Sequence, residues 1–337
     1  MQVVIVSPAL ADANNGNWHN ARRWQRMLAP PYAARIVRQW PDALARDDQV
    51  MLALHARRSS SSIAAWFQAR GKDGLAVALT GTDLYQDIRD DRSAMASLRA
   101  ASCLIVLQER GPLALPGELR QKARVIYPST AIRRAQPKSS RTLRAVMVGH
   151  LREVKSPETL FAAMPSLAGH PEIRIDHIGA ALEPDLEARA RATMAACPNY
   201  RWLGPLAHDA TRSRIQRAHV LIHCSRIEGG AHVVMEAVMS GTPVLASRID
   251  GNVGMLGEGY AGYFGWGDAR ALADLVLACR VTQHEPEGLL RRLAEQTRSR
   301  APLFGTGVER ATLRQLVGEL AQHSCLPDSD RGDRRRT

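Results

Sequence analysis

Seven residues separate Glu228 from Glu236 in the stretch Ser225-Arg-Ile-Glu-Gly-Gly-Ala-His-Val-Val-Met-Glu-Ala-Val-Met-Ser-Gly-Thr-Pro-Val-Leu-Ala-Ser247. The stretch reads as the end of a buried strand, a Gly-Gly turn, a short helix, a glycine stop and a second apolar strand. A helix starting near Gly230 turns its free N–H groups toward Gly229, Gly230, Ala231 and His232, and such a terminus attracts phosphate. A carboxylate then stands on either side of a diphosphate site. The eight-residue step spans roughly 12 Å along a helix axis, the scale of the path from hexose to ribose in a nucleotide sugar. One Glu can take sugar hydroxyls and the other the ribose diol. Two Glu residues near a helix also occur as ordinary solvated charges, but Glu236 lies among Val233, Val234, Met235, Ala237, Val238 and Met239. A helix apolar nearly all round is buried, and a buried Glu needs a partner.

Other reactive residue types stand where strands end. Gly149-His-Leu-Arg-Glu-Val-Lys155 follows an apolar run, and its Arg152 and Lys155 suit the charge that builds on a departing diphosphate. A basic loop on a basic protein has the same composition. After the first strand, Asn14, Asn15, Gly16 and Asn17 tolerate unusual backbone angles and offer many donors, so this loop can approach a ligand closely. In Thr80-Gly-Thr-Asp-Leu-Tyr85, Asp83 can act as a base or orient an acceptor, or it can cap a helix. His55, Arg57 and Arg58 precede Ser59 to Ser62, which reads as an anion pocket at a helix start or as a plain serine loop. Arg22 and Arg23 read as solvated helix charges.

The elements that must position these residues recur in two series. Apolar runs at 3–6, 35–38, 50–55, 75–79, 103–107 and 125–127 are followed by a second set at 145–149, 173–179, 200–203, 220–224, 244–247 and 262–264. Helical segments lie between them, the pattern of parallel sheets covered on both faces. Each half reads as one doubly wound α/β domain, joined by the polar, basic, proline-bracketed stretch 128–141. Ligands of such sheets bind beyond the carboxyl ends of the strands, so two sheets facing each other would enclose a cleft with the acceptor on the first half. The expected boundaries are 1–138, 139–306, a helix at 307–325 packing back toward the first domain, and a disordered tail at 326–337.

The 337 residues are 45% hydrophobic and carry a formal charge of +12. Two cores are affordable at this length, and the charge asks for an anionic partner. No run approaches eighteen uninterrupted apolar residues, and the N-terminus enters Val3-Val4-Ile5-Val6 without a basic leader, as in a cytoplasmic chain with no stable membrane insertion. Only 5% of residues are aromatic and none interleave with a basic stretch, which argues against nucleic acid. Five scattered cysteines without a CxxC pair provide no metal or disulfide framework. No metal and no cofactor are expected, and the oligomeric state is open.

The order of an Asn-rich loop after strand one, Gly149 to Lys155, and Glu228 to Glu236 resembles the GT-B glycosyltransferases of the family 4 type over nearly the whole chain. That resemblance implies two Rossmann-like domains facing a central cleft, with Lys155, Glu228 and Glu236 matching that family's motif residues. His150 stands where the wider family usually has Arg, so either Arg152 takes over that diphosphate contact or a positive group is absent there. Ser7-Pro-Ala-Leu-Ala-Asp-Ala-Asn-Asn-Gly-Asn-Trp18, Leu79-Thr-Gly-Thr-Asp-Leu-Tyr85 and Ile249-Asp-Gly-Asn-Val-Gly-Met-Leu-Gly257 more narrowly resemble the selenosugar synthases (SenB type) of selenoneine biosynthesis. This implies a UDP-sugar donor, UDP-N-acetylglucosamine or UDP-glucose, and selenophosphate as acceptor. Lys155, Arg152 and Asp83 would then carry catalysis. Gly229 to His232, His150, Glu228 and Glu236 would bind the donor, and Asn14 to Asn17 with Thr82 the acceptor. A family 4 transferase using a hydroxyl acceptor, and a non-catalytic nucleotide-sugar or nucleic acid binder, are the alternatives.

Overall fold

The structure is a computed structural model that describes residues 1–8 and 16–324. Asn14 and Asn15 lie outside the described residues. Contacts divide the chain into two compact units. The first comprises residues 1–107, 112–126 and the described residues from Glu309 onward, and the second residues 108–111 and 127–308.

The first unit contains, in chain order, β1 (Gln2–Val6), α1 (Gly16–Leu28), β2 (Ala33–Val37), β3 (Asp48–Leu54), α2 (Ser60–Arg70), β4 (Leu75–Ala78), α3 (Ile88–Asp90), α4 (Arg92–Ala100), β5 (Cys103–Val106) and β6 (Ala123–Val125). Its six parallel strands are ordered β2-β1-β3-β4-β5-β6. Successive residues of the apolar strands face opposite layers. Val4, Met51 and Val77 pack with Ile63, Trp66 and Leu98, while Val3, Ile5 and Leu52 pack with Trp24 and Leu28. Burial on both faces is why these strands read as unbroken apolar runs rather than alternating ones.

The second unit contains β7 (Leu143–Val148), α5 (Pro157–Leu167), β8 (Ile173–Ile178), α6 (Pro184–Ala196), β9 (Tyr200–Trp202), α7 (His208–Arg217), β10 (Val220–His223), α8 (His232–Val238), β11 (Val244–Ser247), α9 (Asp250–Leu256), β12 (Tyr263–Phe264), α10 (Ala269–Val281) and α11 (Leu289–Arg300). Its parallel order is β12-β11-β10-β7-β8-β9. The chain winds outward in one direction from β7 through β9, then returns and winds the other way from β10. β7 and β10 are therefore neighbours at the point where the winding reverses, and the loops leaving their carboxyl ends diverge to opposite faces. Ligand sites of open α/β sheets form at such points.

The last helix, α12 (Thr306–Ser324), places Leu313, Leu316, Val317 and Leu320 in the core of the first unit beside Trp24 and Leu28. Glu309, 2% exposed, anchors it by accepting a hydrogen bond from Trp24 Nε1 at 2.8 Å and by pairing with Arg23 Nε at 2.9 Å. Arg23 is thus a structural partner of Glu309 and not the solvated charge its helix position suggests. Among the described residues, no helix is long and apolar enough to cross a membrane.

Candidate functional site

Beyond β7, Glu153–Lys155 forms a single 3-10 turn, and Ser156 then takes a left-handed conformation (φ 45°) immediately before Pro157 opens α5. Such a φ is unfavourable for a residue with a Cβ and persists where surroundings fix it. Ser156 Oγ accepts a hydrogen bond from Trp266 Nε1 at 2.9 Å, and Arg226 N donates to Val154 O at 2.9 Å. The second of these ties the loop after β10 to the loop after β7.

Across that tie, Lys155 Nζ donates to Glu228 Oε1 at 2.6 Å. His223, the last residue of β10, brings Nε2 to 3.5 Å from the same carboxylate oxygen and is 2% exposed. Burial opposes ionisation of Glu228, but the charge of Lys155, with the nearby His223 ring and the hydrogen bond from Lys155 Nζ, outweighs it and holds the carboxyl well below the usual carboxylate range. Glu228 is therefore an anion at neutral pH, held by a cation on the loop after the neighbouring strand β7. A Cβ on Gly251 would lie 2.1 Å from Glu228 O, so α9 can approach this loop only because residue 251 is glycine.

The loop after β7 is buttressed from the other side. His177 Nε2 lies 3.1 Å from Gly149 O, and its Nδ1 lies 2.9 Å from the Tyr200 hydroxyl. Burial lowers His177 to about 4, so the ring is neutral, donating to Gly149 O and accepting from Tyr200. Gly179 admits the same close approach, since a Cβ there would sit 1.9 Å from Gly149 O. His150 Nδ1 accepts from Ala180 N at 3.0 Å, and burial followed by the charges of Lys155 and Arg152 lowers its pKa. Arg152 is exposed on the same loop.

The helix carrying Glu236 begins at His232, with Ala231 as N-cap, rather than near Gly230. Gly229 and Gly230 form a bend outside it, so Glu228 is a loop residue and the axial spacing along a helix does not apply to it. The adjacent glycines leave the chain free to turn before helical hydrogen bonding begins between Ala231 and Val234, both buried. Glu236 is 8% exposed, and the partner its burial demands is His208 Nε2 at 2.6 Å, the first residue of α7. That hydrogen bond raises the pKa of His208 against the opposing effect of burial.

In the first unit, Gly16 opens α1 and Asn17 is buried on it. Thr82 is helical and half-buried, so Thr80 to Tyr85 is the start of a helical segment and not an open turn. Asp83 is fully buried and caps no helix. Its Oδ2 accepts from Ala56 N at 2.8 Å, and its Oδ1 lies 3.2 Å from His55 Nδ1.

The geometry thus brings Lys155 together with Glu228 and sets His150 and Arg152 on the same loop as Lys155. Sequence reasoning passed over His208, His223, His177 and Trp266. His223 carried a signal, a lone polar residue closing the apolar run Val220-Leu-Ile-His223 at a strand's carboxyl end.

The chain resembles solved glycosyltransferases throughout its length. Sucrose-phosphate synthase from Thermosynechococcus elongatus superposes with a TM-score of 0.73 at 17% identity, over 95% of this chain and 99% of that one. Anabaena HepE in complex with UDP-glucose gives 0.69 at 15% identity, over 96% and 99%. TarM of S. aureus, solved with UDP, alpha-GlcNAc-glycerol and fondaparinux, gives 0.63 at 14% identity over 80% of this chain, which spans only 55% of TarM. At these identities the likeness establishes the two-domain GT-B fold. Comparison with curated proteins gives no sequence match. The family described as Glycosyl transferases group 1 matches residues 128–298, half of the chain and the whole of the loop pair built around Lys155 and Glu228. The chain belongs to the group 1 glycosyl transferases.

Proposed function

We propose that this glycosyltransferase moves a sugar from a UDP-sugar, UDP-N-acetylglucosamine or UDP-glucose, to selenophosphate. The observation that carries the donor half is the Lys155–Glu228 pair, 2.6 Å across the winding reversal between β7 and β10. Lys155 and Arg152, with His150 and the Gly229 to His232 turn, take the diphosphate. Glu228 and Glu236 take sugar and ribose hydroxyls. The UDP and UDP-glucose bound by Anabaena HepE support the same class of donor here.

The acceptor rests on the Asn14 to Asn17 loop, Thr82 and Asp83, which lie in strings that resemble the selenosugar synthases. The selenium of selenophosphate is already anionic and needs no base to attack the anomeric carbon. As the C–Se bond forms, the C–O bond to UDP breaks and UDP leaves with the electron pair. Hydrolysis of the remaining P–Se bond releases phosphate and gives a 1-selenosugar. Bringing two anions together costs Coulomb repulsion, which gives the +12 formal charge a specific use.

A hydroxyl acceptor is the second reading, favoured by His55 at 3.2 Å from Asp83, since a hydroxyl must lose its proton as it attacks. UDP release measured against selenophosphate, inorganic phosphate and a panel of sugars separates the two. Release with selenophosphate alone is expected. Release only with sugars would establish the second reading instead.

A further inference from the structure

We propose that His55, Asp83 and Asp87 form a binding site for one divalent transition-metal ion of the zinc type. The site belongs to the first unit and is independent of the donor assignment. It departs from the metal-free expectation drawn from the cysteines, because its donors are nitrogen and oxygen.

Three residues from two segments converge there. His55 follows β3 with φ 75°, a left-handed conformation that turns its ring toward the β4 side of the sheet. Asp83–Asp87 forms one π-helical turn, which brings both of its terminal carboxylates onto the same imidazole. Single π turns of this kind recur at functional sites. His55 Nδ1 lies 3.2 Å from Asp83 Oδ1, and Nε2 lies 3.6 Å from Asp87 Oδ2.

The cluster is buried and its inward atoms are unsatisfied. His55 is 2% exposed and Asp83 0%, yet His55 Nε2, Asp83 Oδ1 and Asp87 Oδ2 make no hydrogen bond. Buried polar atoms left without a hydrogen bond are costly. Asp83 Oδ2 is engaged by Ala56 N at 2.8 Å, which leaves Oδ1 as the oxygen offered to the cluster. Arg57 Nε lies 3.1 Å from Asp87 Oδ2 on a side chain 45% exposed, so it can withdraw into solvent.

One ligand atom from each residue falls within 4.8 Å of the other two. Ligands bonded to tetrahedral zinc at about 2.0–2.1 Å stand about 3.4 Å apart, the scale of the 3.6 Å between His55 Nε2, the ring nitrogen left without a partner, and Asp87 Oδ2; Nδ1 accepts from Arg58 N at 3.4 Å and is the nitrogen that faces Asp83 Oδ1. An imidazole with two carboxylates selects zinc, cobalt, manganese or iron(II) over calcium and magnesium, which prefer all-oxygen ligands.

The test uses the full chain, stripped with a chelator and titrated with Zn²⁺ and, for its visible absorption, Co²⁺. One equivalent should bind, with an affinity at least ~10-fold weaker in Asp87→Asn and in His55→Gln. Asp87→Asn is the primary variant because Asp83 also holds Ala56 N, and circular dichroism verifies that each variant is folded. Failure of the native chain to bind one equivalent would overturn the proposal. So would binding that is unchanged in both folded variants.

Discussion

Lys155 and Glu228 meet at 2.6 Å although 73 positions separate them, because β7 and β10 are adjacent where the second sheet reverses its winding. The pair satisfies two charges that would otherwise face each other's absence: Glu228 is 11% exposed and Lys155 27%. Under the proposed function, it also places a cation and an anion where the sugar nucleotide presents an anion and hydroxyls. Binding can then exchange one ion pair for two sets of ligand contacts.

Lys155→Ala removes the counter-ion of Glu228 and, under the proposed function, of the leaving diphosphate. Turnover should fall about 10²–10³-fold, with stability lower by about 1–3 kcal/mol. Lys155→Arg should restore stability more than rate, because a guanidinium preserves the charge but not the position. Steady-state kinetics and urea unfolding of the two variants check this, and an unchanged rate in Lys155→Ala would remove Lys155 from the chemistry.

Glu236→Ala should weaken UDP-sugar binding about 10-fold or more while the chain stays folded, since the lost interactions are about two charge-assisted hydrogen bonds. Calorimetric titration with the UDP-sugar measures it. Unchanged donor affinity would contradict the assignment.

The His208–Glu236 pair should also make stability depend on pH. Glu236 raises the folded pKa of His208, so the pair's contribution is complete below the unfolded imidazole value of about 6.5. It is then lost as pH rises through the higher folded value. His208→Gln should flatten that part of the stability profile, as read by urea midpoints on either side of neutrality. A profile identical to that of the native chain would show that the pair does not titrate.

Gly251→Ala should displace the Glu228 loop, because its Cβ would stand 2.1 Å from Glu228 O, a backbone atom that cannot swing aside. A cost of about 1–3 kcal/mol is expected, together with weaker donor binding. Gly169→Ala, whose Cβ meets nothing within 4 Å, is the control and should stay within about 0.5 kcal/mol of the native chain. Thermal unfolding of both variants decides.

Glu309→Ala should destabilise the first unit by about 3–5 kcal/mol. It strips the partner from Arg23 and leaves Trp24 Nε1 buried without the carboxylate it donates to at 2.8 Å. Glu309→Gln keeps an acceptor for Trp24 and should lose less. Equal losses in the two variants would show that the charge, not the indole hydrogen bond, dominates.

The central strands were legible because they are buried on both faces, so runs such as Val220-Leu-Ile-His223 carry their identity in composition alone, while the edge strands β2 and β6 are only partly buried. The loops after β7 and β10 were legible for a related reason: glycines and charges cluster where such strands end. Pairings across the fold were not. Nothing local links His208 to Glu236 or Arg23 to Glu309, since each contact depends on how helices pack and on residues 28 or 286 positions apart. The start of α8 was misplaced by two residues because Gly229-Gly230 can either begin a helix or precede it, and the buried Ala231 decides for the latter. Asp83 read equally well as a base or a cap, and its burial against Ala56 N and His55 comes from the neighbouring strand β3, beyond the reach of local sequence.

The central claim is the identity of the acceptor, and mass spectrometry of the product tests it most directly. The chain is incubated with selenophosphate and each of a panel of UDP-sugars. The expected result is a species carrying one hexose and one selenium, formed with UDP from UDP-N-acetylglucosamine or UDP-glucose. Absence of any sugar-selenium species across the panel, from a chain that binds UDP, would contradict it.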